Sequence, residues 1–420
     1  MQKIFSVSPA KEYDVIVVGG GVAGCAAAIR AARDGADVLL IEASGSLGGM
    51  ASGGMVPEFC PYTDGEKIIH HGIAEEMLFK MKAVTPDEKE RLDYCTIDAE
   101  WMKYFLDGSV SEAGVDVLFF STLCAVEGEG GRILGVTVAN KSGLSHYTAG
   151  AFVDATGDAD LCALSGCEFE VGDENGNMQM PTLCFTLSGV RDEGKPIEAM
   201  VREQLPNIIL DPLFPRIDND FFCSMKLADG VWGCNAGHVR GINPLDRMSV
   251  SAGMIEGRKK AREYLFALKK YLPSEFSSAH IVATAPLLGI RETRRIRGEY
   301  TITVEDYQAR RSFPDEIGRN GYAIDLHDAV HFYGGENANA KYGKYKNGES
   351  HGIPLRALIP RATKNLFVGG RSISCERAVQ SSLRIIPVCF VTGEAAGAAA
   401  AVSALKGKMS TDVCISDINR

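Results

Sequence analysis

The sequence predicts an α/β fold: a parallel sheet carrying a β-meander, with an α+β domain inserted into it. Three observations point there. A strand-like run at residues 13–18 ends in Gly19-Gly20-Gly21 and leads into an Ala-rich helical stretch at 22–33. Several strand-like segments joined by glycine turns follow between residues 115 and 153. After Asp154-Ala155-Thr156-Gly157 the chain turns to polar loops and prolines, and it regains core character from Ile353.

In order, residues 13–18 are β-branched and apolar, which suits a buried strand. Residues 22–33 read as a helix closed by Gly35 near its C-cap, and residues 37–42 supply a second strand at once. Strand, glycine turn, helix and strand in this order make a right-handed βαβ unit with parallel strands. Asp98 is placed to cap a helix running to about Ala113. Segments near 115–120, 125–128, 133–140 and 145–153 read as a strand followed by a meander, turning at Gly130-Gly131 and Ser142-Gly143. Polar loops at 172–177, prolines between Pro196 and Pro215 and one long amphipathic helix at 249–271 mark a separate substrate-facing region. Alternation returns at 279–288 and 299–304, before a glycine- and lysine-rich loop at 334–348 that reads as a surface loop or a lid. A strand at 365–368 and a small-residue helix at about 387–405 close the chain.

The chain's 420 residues allow two to three domains. The expected division is 1–165 and 351–420 as two parts of one domain, with 166–350 as a substrate or cap domain between them. A net charge of −10 and a pI near 5.4 exclude a general nucleic-acid or anionic-membrane surface, which would need a positive field. No secretory signal is read in residues 1–10, so the expected location is cytoplasmic. The apolar run at 385–405 is broken by Pro387, Thr392, Gly393 and Glu394, which favours a buried helix over a membrane span. Twelve scattered cysteines without a CxxC read as reduced, mostly buried thiols and argue against a structural metal site. Oligomeric state is left open, a homo-oligomer included.

Gly19-Gly20-Gly21-Val22-Ala23-Gly24 fits GxGxxG between a strand and a helix, where glycines let a pyrophosphate approach the positive end of the helix dipole. Glu42 lies at the ~20-residue spacing where an acid accepts hydrogen bonds from a ribose. Ala43 follows it. A 2′-phosphate would be repelled there, so NADP is disfavoured. The alternative is a glycine-rich turn with an incidental Glu. The fingerprint by itself does not choose between FAD and NAD.

Gly19–Gly24, Gly48-Gly49, Asp154-Ala155-Thr156-Gly157-Asp158 and the segment from Asn365 to Ser372, with Gly369-Gly370-Arg371, stand in an order that resembles FAD-dependent oxidoreductases of the glutathione reductase-like two-dinucleotide-fold superfamily. The Gly289-Ile290-Arg291-Glu292-Thr293-Arg294-Arg295 and Ser382-Leu383-Arg384-Ile385-Ile386-Pro387 segments are similar to a broad group of such flavoproteins, many of unassigned substrate. The resemblance implies FAD as cofactor and a Rossmann-like FAD-binding domain. Its expected contacts are Gly19, Gly21, Val22, Ala23, Gly24, Glu42, Ala43, Gly48, Gly49, Met50, Ala155, Thr156, Gly157, Gly369, Gly370, Arg371 and Ile386. It also implies that the last helix aims its N-terminus at the flavin pyrimidine. No second GxGxxG is present in the middle region, so the organisation resembles fumarate reductase or amine oxidase relatives, and the electron donor or acceptor stays open.

For catalysis the candidates are Arg291 and Arg384, either of which would contact substrate or flavin, with at least one arginine of the 291–297 cluster clamping a carboxylate, and His327 and His351, whose ordinary pKa suits proton transfer. The structural alternatives are ion-paired arginines and hydrogen-bonded loop histidines. His351 replaces a tyrosine- or aspartate-rich lead-in associated with the family at that point. The expected reaction is hydride transfer between flavin N5 and a small organic substrate. A flavin-bearing electron-transfer subunit of a larger complex is the alternative from another class, and a nicotinamide-only enzyme a third.

Overall fold

A computed structural model describes residues 7–87, 90–328 and 341–418 of the protein. Its strands are β1 (Ser8–Val18), β2 (Val38–Ile41), β3 (Asp116–Leu118), β4 (Thr122–Glu129), β5 (Arg132–Asn140), β6 (Gly143–Asp154), β7 (Phe169–Val171), β8 (Phe185–Ser188), β9 (Phe222–Ala228), β10 (Val231–Ala236), β11 (His280–Thr284), β12 (Arg294–Ile296), β13 (Glu316–Asn320), β14 (His351–Pro354) and β15 (Leu366–Val368).

The main sheet runs β3-β2-β1-β6-β5-β4, with β15 also paired to β6. Strands β1, β2, β3 and β15 pair in parallel, while β4, β5 and β6 form the antiparallel meander. Strand β6 serves both: residues 143–148 belong to the meander, and Phe152–Asp154 lie between β1 and β15. The apolar runs Val15–Val18 and Val38–Ile41 are buried throughout, as a sheet covered on both faces requires.

Two helices from opposite ends of the sequence pack against each other on this sheet. A Cβ at Gly393 would lie 2.1 Å from Ala23 O, and one at Gly397 would lie 2.1 Å from Ala27 O. Small residues four apart on each helix therefore set the approach of Val22–Arg33 to Ile386–Lys406. The second helix is apolar and long enough to cross a membrane, but most of it is buried in the protein core.

A second sheet, β11-β8-β10-β9, is antiparallel and has its own core. Two helices, Ile197–Ile209 and Arg247–Tyr271, cover it, and Asp246 caps the longer one at Met248 N. Two ribbons, β7 with β12 and β13 with β14, complete the pairing.

Most local expectations hold. The helix Ala99–Glu112 starts where Asp98 accepts from Glu100 N and Trp101 N, and Gly35 takes a positive φ after the helix Val22–Arg33. Two expectations change. The proline-rich stretch after Pro196 contains a helix, because Ile197, Val201, Leu205 and Ile208 share a face buried against the second sheet. The segment 299–304 is not a strand: it makes one bridge, Ile302 to Cys375, and then a Thr303–Asp306 capping box starts the helix Val304–Gln308. Much of the loop at 334–348 lies outside the described residues. All twelve cysteines are free, and only Cys124 and Cys414 are exposed.

Candidate functional site

The glycine turn after β1 has the shape of a phosphate cradle. A Cβ at Gly24 would lie 1.8 Å from Gly19 O, so the turn closes tightly only with glycine there. Gly21 has room instead: a Cβ would meet only Gly49 Cα, 4.0 Å away. A parallel bridge joins Gly21 to Gly48, bringing Gly48, Gly49 and Met50 beside the turn. The N-cap of Val22–Arg33 is Gly21, without a side-chain cap, so the first-turn N–H groups are available to a ligand.

Glu42 marks the far end of this cradle. Its carboxylate accepts from Gly20 N and Ser44 N, both at 2.6 Å, which fixes its orientation beside the glycines and Ala43. Ala155, Thr156 and Gly157 line the other side: Asp154 accepts from the Thr156 hydroxyl at 2.7 Å, and Gly157 packs under the Arg371 guanidinium. Arg371 pairs with Asp158 at 2.7 Å, and its Nε and the Ser372 hydroxyl are buried without a hydrogen-bond partner among the described residues. Gly370 N donates to the Thr392 hydroxyl, tying the Gly369-Gly370 turn to the last long helix. That helix starts at Ile386 with Pro387 in its first turn and no side-chain cap. Two uncapped helix ends, a glycine cradle, an acid held beside it and buried polar atoms suit a dinucleotide cofactor.

Beside this helix start lies a polar cluster centred on Asp325. Ser381 accepts from Asp325 N at 3.0 Å, and the Ser382 hydroxyl donates to Tyr322 O while accepting from Asn320 Nδ2 at 2.6 Å. Arg384 donates to the Asp325 carbonyl and carboxylate. The Ser-Ser-Leu-Arg segment is thus a clamp that holds residues 320–327 against the start of the helix.

The Asp325 carboxylate also meets His327 Nε2 at 3.0 Å and the Tyr322 hydroxyl at 3.2 Å, and remains 28% exposed. Burial opposes its ionisation, but His327, Arg384 and Arg291 outweigh this and hold its carboxyl well below the usual range. His327 is buried and passes its other ring nitrogen, Nδ1, to His238 Nε2 at 2.8 Å. Burial first, then Arg291, push His327 down to about 4, with Asp325 acting against them.

Arg291 is buried and lies over the Phe221 ring, which in turn contacts both histidines. Its Nη1 donates to Met180 O at 2.7 Å and to the Thr182 hydroxyl at 3.0 Å. No salt bridge to it is found among the described residues. Burial and the neighbouring Arg384 push it down to about 10. Its sequence neighbours have structural roles: Glu292 is fully buried between Arg295 and Arg377, and Arg294 binds Asp160.

Of the four catalytic candidates, the structure gathers Arg291, Arg384 and His327 around Asp325. His351 sits in other company: the Tyr345 hydroxyl lies 2.6 Å from its Nδ1, its Nε2 has no hydrogen-bond partner among the described residues, and Tyr307 packs on its ring. Burial, then Arg319, lower it to about 3. Sequence reasoning gave no role to Asp325, His238 or Tyr322. The Asp-x-His pattern at 325–327 was the available signal for the first, whereas nothing local marks His238.

The family model described as FAD dependent oxidoreductase matches residues 14–420. Vinyl phenol reductase of Lactiplantibacillus plantarum is 34% identical over 100 residues, 23% of this chain and 18% of that protein. The tRNA uridine 5-carboxymethylaminomethyl modification enzyme MnmG of Chlorobium phaeovibrioides is 31% identical over 159 residues, 34% of this chain and 25% of that protein. The chain therefore spans a quarter or less of these two curated relatives. A solved flavin-dependent brominase shares the fold, with a TM-score of 0.51 at 12% identity, covering 96% of this chain and 81% of that one.

Proposed function

Because the chain belongs to the FAD-dependent oxidoreductase family and FAD is its cofactor, we propose that it transfers a hydride between the flavin and a small anionic organic substrate anchored by Arg291. One observation carries this reading: a buried guanidinium beside a second cation, with no carboxylate paired to it among the described residues. A buried cation is costly unless an anion joins it. A substrate carboxylate supplies that anion.

When bound, FAD accepts or donates the hydride at N5. Gly21, Gly48 and Gly49 would hold its pyrophosphate, Glu42 would accept from its ribose, and the uncapped N-terminus of Ile386–Lys406 would stabilise negative charge on the flavin. Arg291 orients the substrate, with Phe221 and Thr182 fixing the plane of the guanidinium. Arg384 holds Asp325 in place. The Asp325–His327 pair, joined at Nε2, takes up or releases the accompanying proton, with Asp325 as its partly exposed end. In this reading residues 166–350 form the substrate domain, and 1–165 with 351–420 the cofactor domain.

The test is anaerobic. Small carboxylates are mixed with the oxidised and with the reduced holoenzyme, and flavin bleaching or recovery is followed. A carboxylate is expected to exchange electrons with the flavin. Arg291→Gln should raise its KM about 10- to 100-fold, the equivalent of one charge-assisted hydrogen bond, while keeping FAD bound. Turnover of uncharged substrates alone, or an unchanged KM in the variant, would refute the anionic assignment.

A further inference from the structure

We propose that Cys162 and Cys167 are a redox modification site: a hydroperoxide closes them to a disulfide, which stiffens the segment 158–171 and the residues 291–297 that it holds. The sequence builds the pair locally. The short helix Asp160–Leu164 ends at Ser165, and Gly166 takes a positive φ of 78°. Gly166 N donates to Ala163 O at 3.2 Å, and Cys167 N donates to Cys162 O at 3.0 Å. These are the two bonds of a Schellman turn, which folds the side chain after its left-handed glycine back onto the residue four before that glycine. Both positions are cysteine here, so a turn that ordinarily closes on an apolar contact closes on two thiols.

The two thiols are not equivalent. Cys162 is fully buried, its backbone N–H donates to Asp154 Oδ2 at 2.9 Å, and burial pushes its thiol up. Cys167 keeps 9% of its surface, between exposed Gly166 and exposed Glu168, and a Cβ at Gly166 would meet nothing within 4 Å. The Cys162 thiol donates to Cys167 and holds the Cys167 thiol below its ordinary range, against burial and the nearby Asp154. The thiolate is the nucleophile, so Cys167 reacts first.

The step balances with a hydroperoxide as oxidant. The Cys167 thiolate attacks the O–O bond and becomes a sulfenic acid, and the alcohol or water that leaves carries the proton Cys167 has lost. The Cys162 sulfur then displaces the sulfenic hydroxyl, which departs as water with the Cys162 proton, and the S–S bond forms. Two thiols have lost two electrons and two protons, and the hydroperoxide has been reduced. Two molecules of a small thiol of the glutathione class reopen the bond by exchange.

The turn lies in the middle of a strap that carries residues 291–297. On one side of it, the Thr293 hydroxyl donates to Asp158, and Arg294 donates to Asp158 O and to the Asp160 carboxylate, each at 2.8 Å. On the other side, β7 pairs with β12 with Glu170 opposite Arg295, and Arg297 N donates to Glu168 O at 2.9 Å. Both flanks of the cysteine turn thus grip one segment, and Arg291 opens that segment. Joining Cys162 to Cys167 ties the two grips together.

Non-reducing peptide mapping of the holoenzyme after hydrogen peroxide treatment reads the site directly. A Cys162–Cys167 disulfide that dithiothreitol removes is expected. Free thiols at both positions, once the exposed Cys124 and Cys414 are oxidised, would overturn the proposal. Variants separate the two roles. Cys162→Ser leaves Cys167 without a partner, so peroxide should carry it on to sulfinic acid, whereas Cys167→Ser should leave Cys162 a thiol. The reverse pattern would overturn the assignment of Cys167 as the attacking thiol.

Amide hydrogen exchange tests the strap. In the disulfide form, exchange at residues 168–171 and 291–297 should slow by about twofold or more, and Cys167→Ser treated in the same way should show no change. Equal exchange in the oxidised and reduced holoenzyme would overturn the link to residues 291–297. Neither readout uses a substrate. A missing disulfide therefore counts against this site alone, and the absence of any responsive carboxylate counts against the anionic-substrate reading alone.

Discussion

Arg384 donates from one terminal nitrogen to both the carbonyl and the carboxylate oxygen of Asp325, at 3.1 and 3.3 Å. The residue that closes the helix Arg377–Leu383 is thereby fixed to the centre of the polar cluster, just before the helix Ile386–Lys406 begins. Arg384 thereby ties the polar cluster to the start of that helix.

Arg384→Lys keeps the charge but carries it on a shorter, more flexible stem, so it does not hold both oxygens in the same geometry. FAD content should be unchanged, and the rate of electron exchange with substrate should fall by roughly 10-fold, about 1.4 kcal/mol of lost positioning. Single-turnover flavin absorbance measures this, and an unaltered rate would separate Arg384 from catalysis.

Gly21 and Gly24 should fail for different reasons. Gly24→Val drives a Cβ into Gly19 O and is expected to disturb the turn itself, lowering both thermal stability and FAD content. Gly21→Val meets little protein and, with the pyrophosphate placed as proposed, would fill its space. It should release FAD while leaving the melting temperature of the cofactor-free protein near that of the unaltered chain. Flavin content and calorimetry on both variants give the comparison.

The two buried histidines should separate functionally. His327→Ala removes the ring bonded to Asp325 and is expected to slow turnover by ~100-fold or more with FAD still bound. His351→Ala opens a cavity beside Tyr307 and Tyr345 and is expected to lower stability with a smaller effect on rate. Equal rate losses in the two variants would contradict the placement of the chemistry at Asp325.

Acid should destabilise the fold earlier than carboxylate titration alone would. His70, His327 and His351 are lowered from 6.5 to about 3, 4 and 3, in each case first by burial. Below pH 6.5 the unfolded chain binds protons that the folded chain refuses, so stability falls as pH falls from about 6.5 toward 4, by at most about 1.4 kcal/mol per pH unit for each group. Above that window the histidine contribution is constant. Urea unfolding at pH 7, 6 and 5 should show a falling midpoint, with a shallower fall in His351→Asn.

How far the sequence alone reaches depends on the range of the signal. The βαβ unit, the Asp98 cap, the glycine cradle and the closing helix are encoded by neighbours within a turn or two: apolar spacing, a capping side chain, glycines where φ is positive. The FAD family was legible for the same reason, since its motifs are short and local. The helix at 197–209 was hidden because its prolines are local signals that burial against the second sheet outweighs.

What only the tertiary structure decided is the company each reactive side chain keeps. His238 and His327 lie 89 residues apart in sequence and share a 2.8 Å contact. Arg291 and Arg295 are four residues apart, yet Arg291 is left without a carboxylate partner while Arg295 is paired with Glu292. No spacing rule distinguishes them, because charge, burial and hydrogen-bond count at each position are set by segments that meet only on folding.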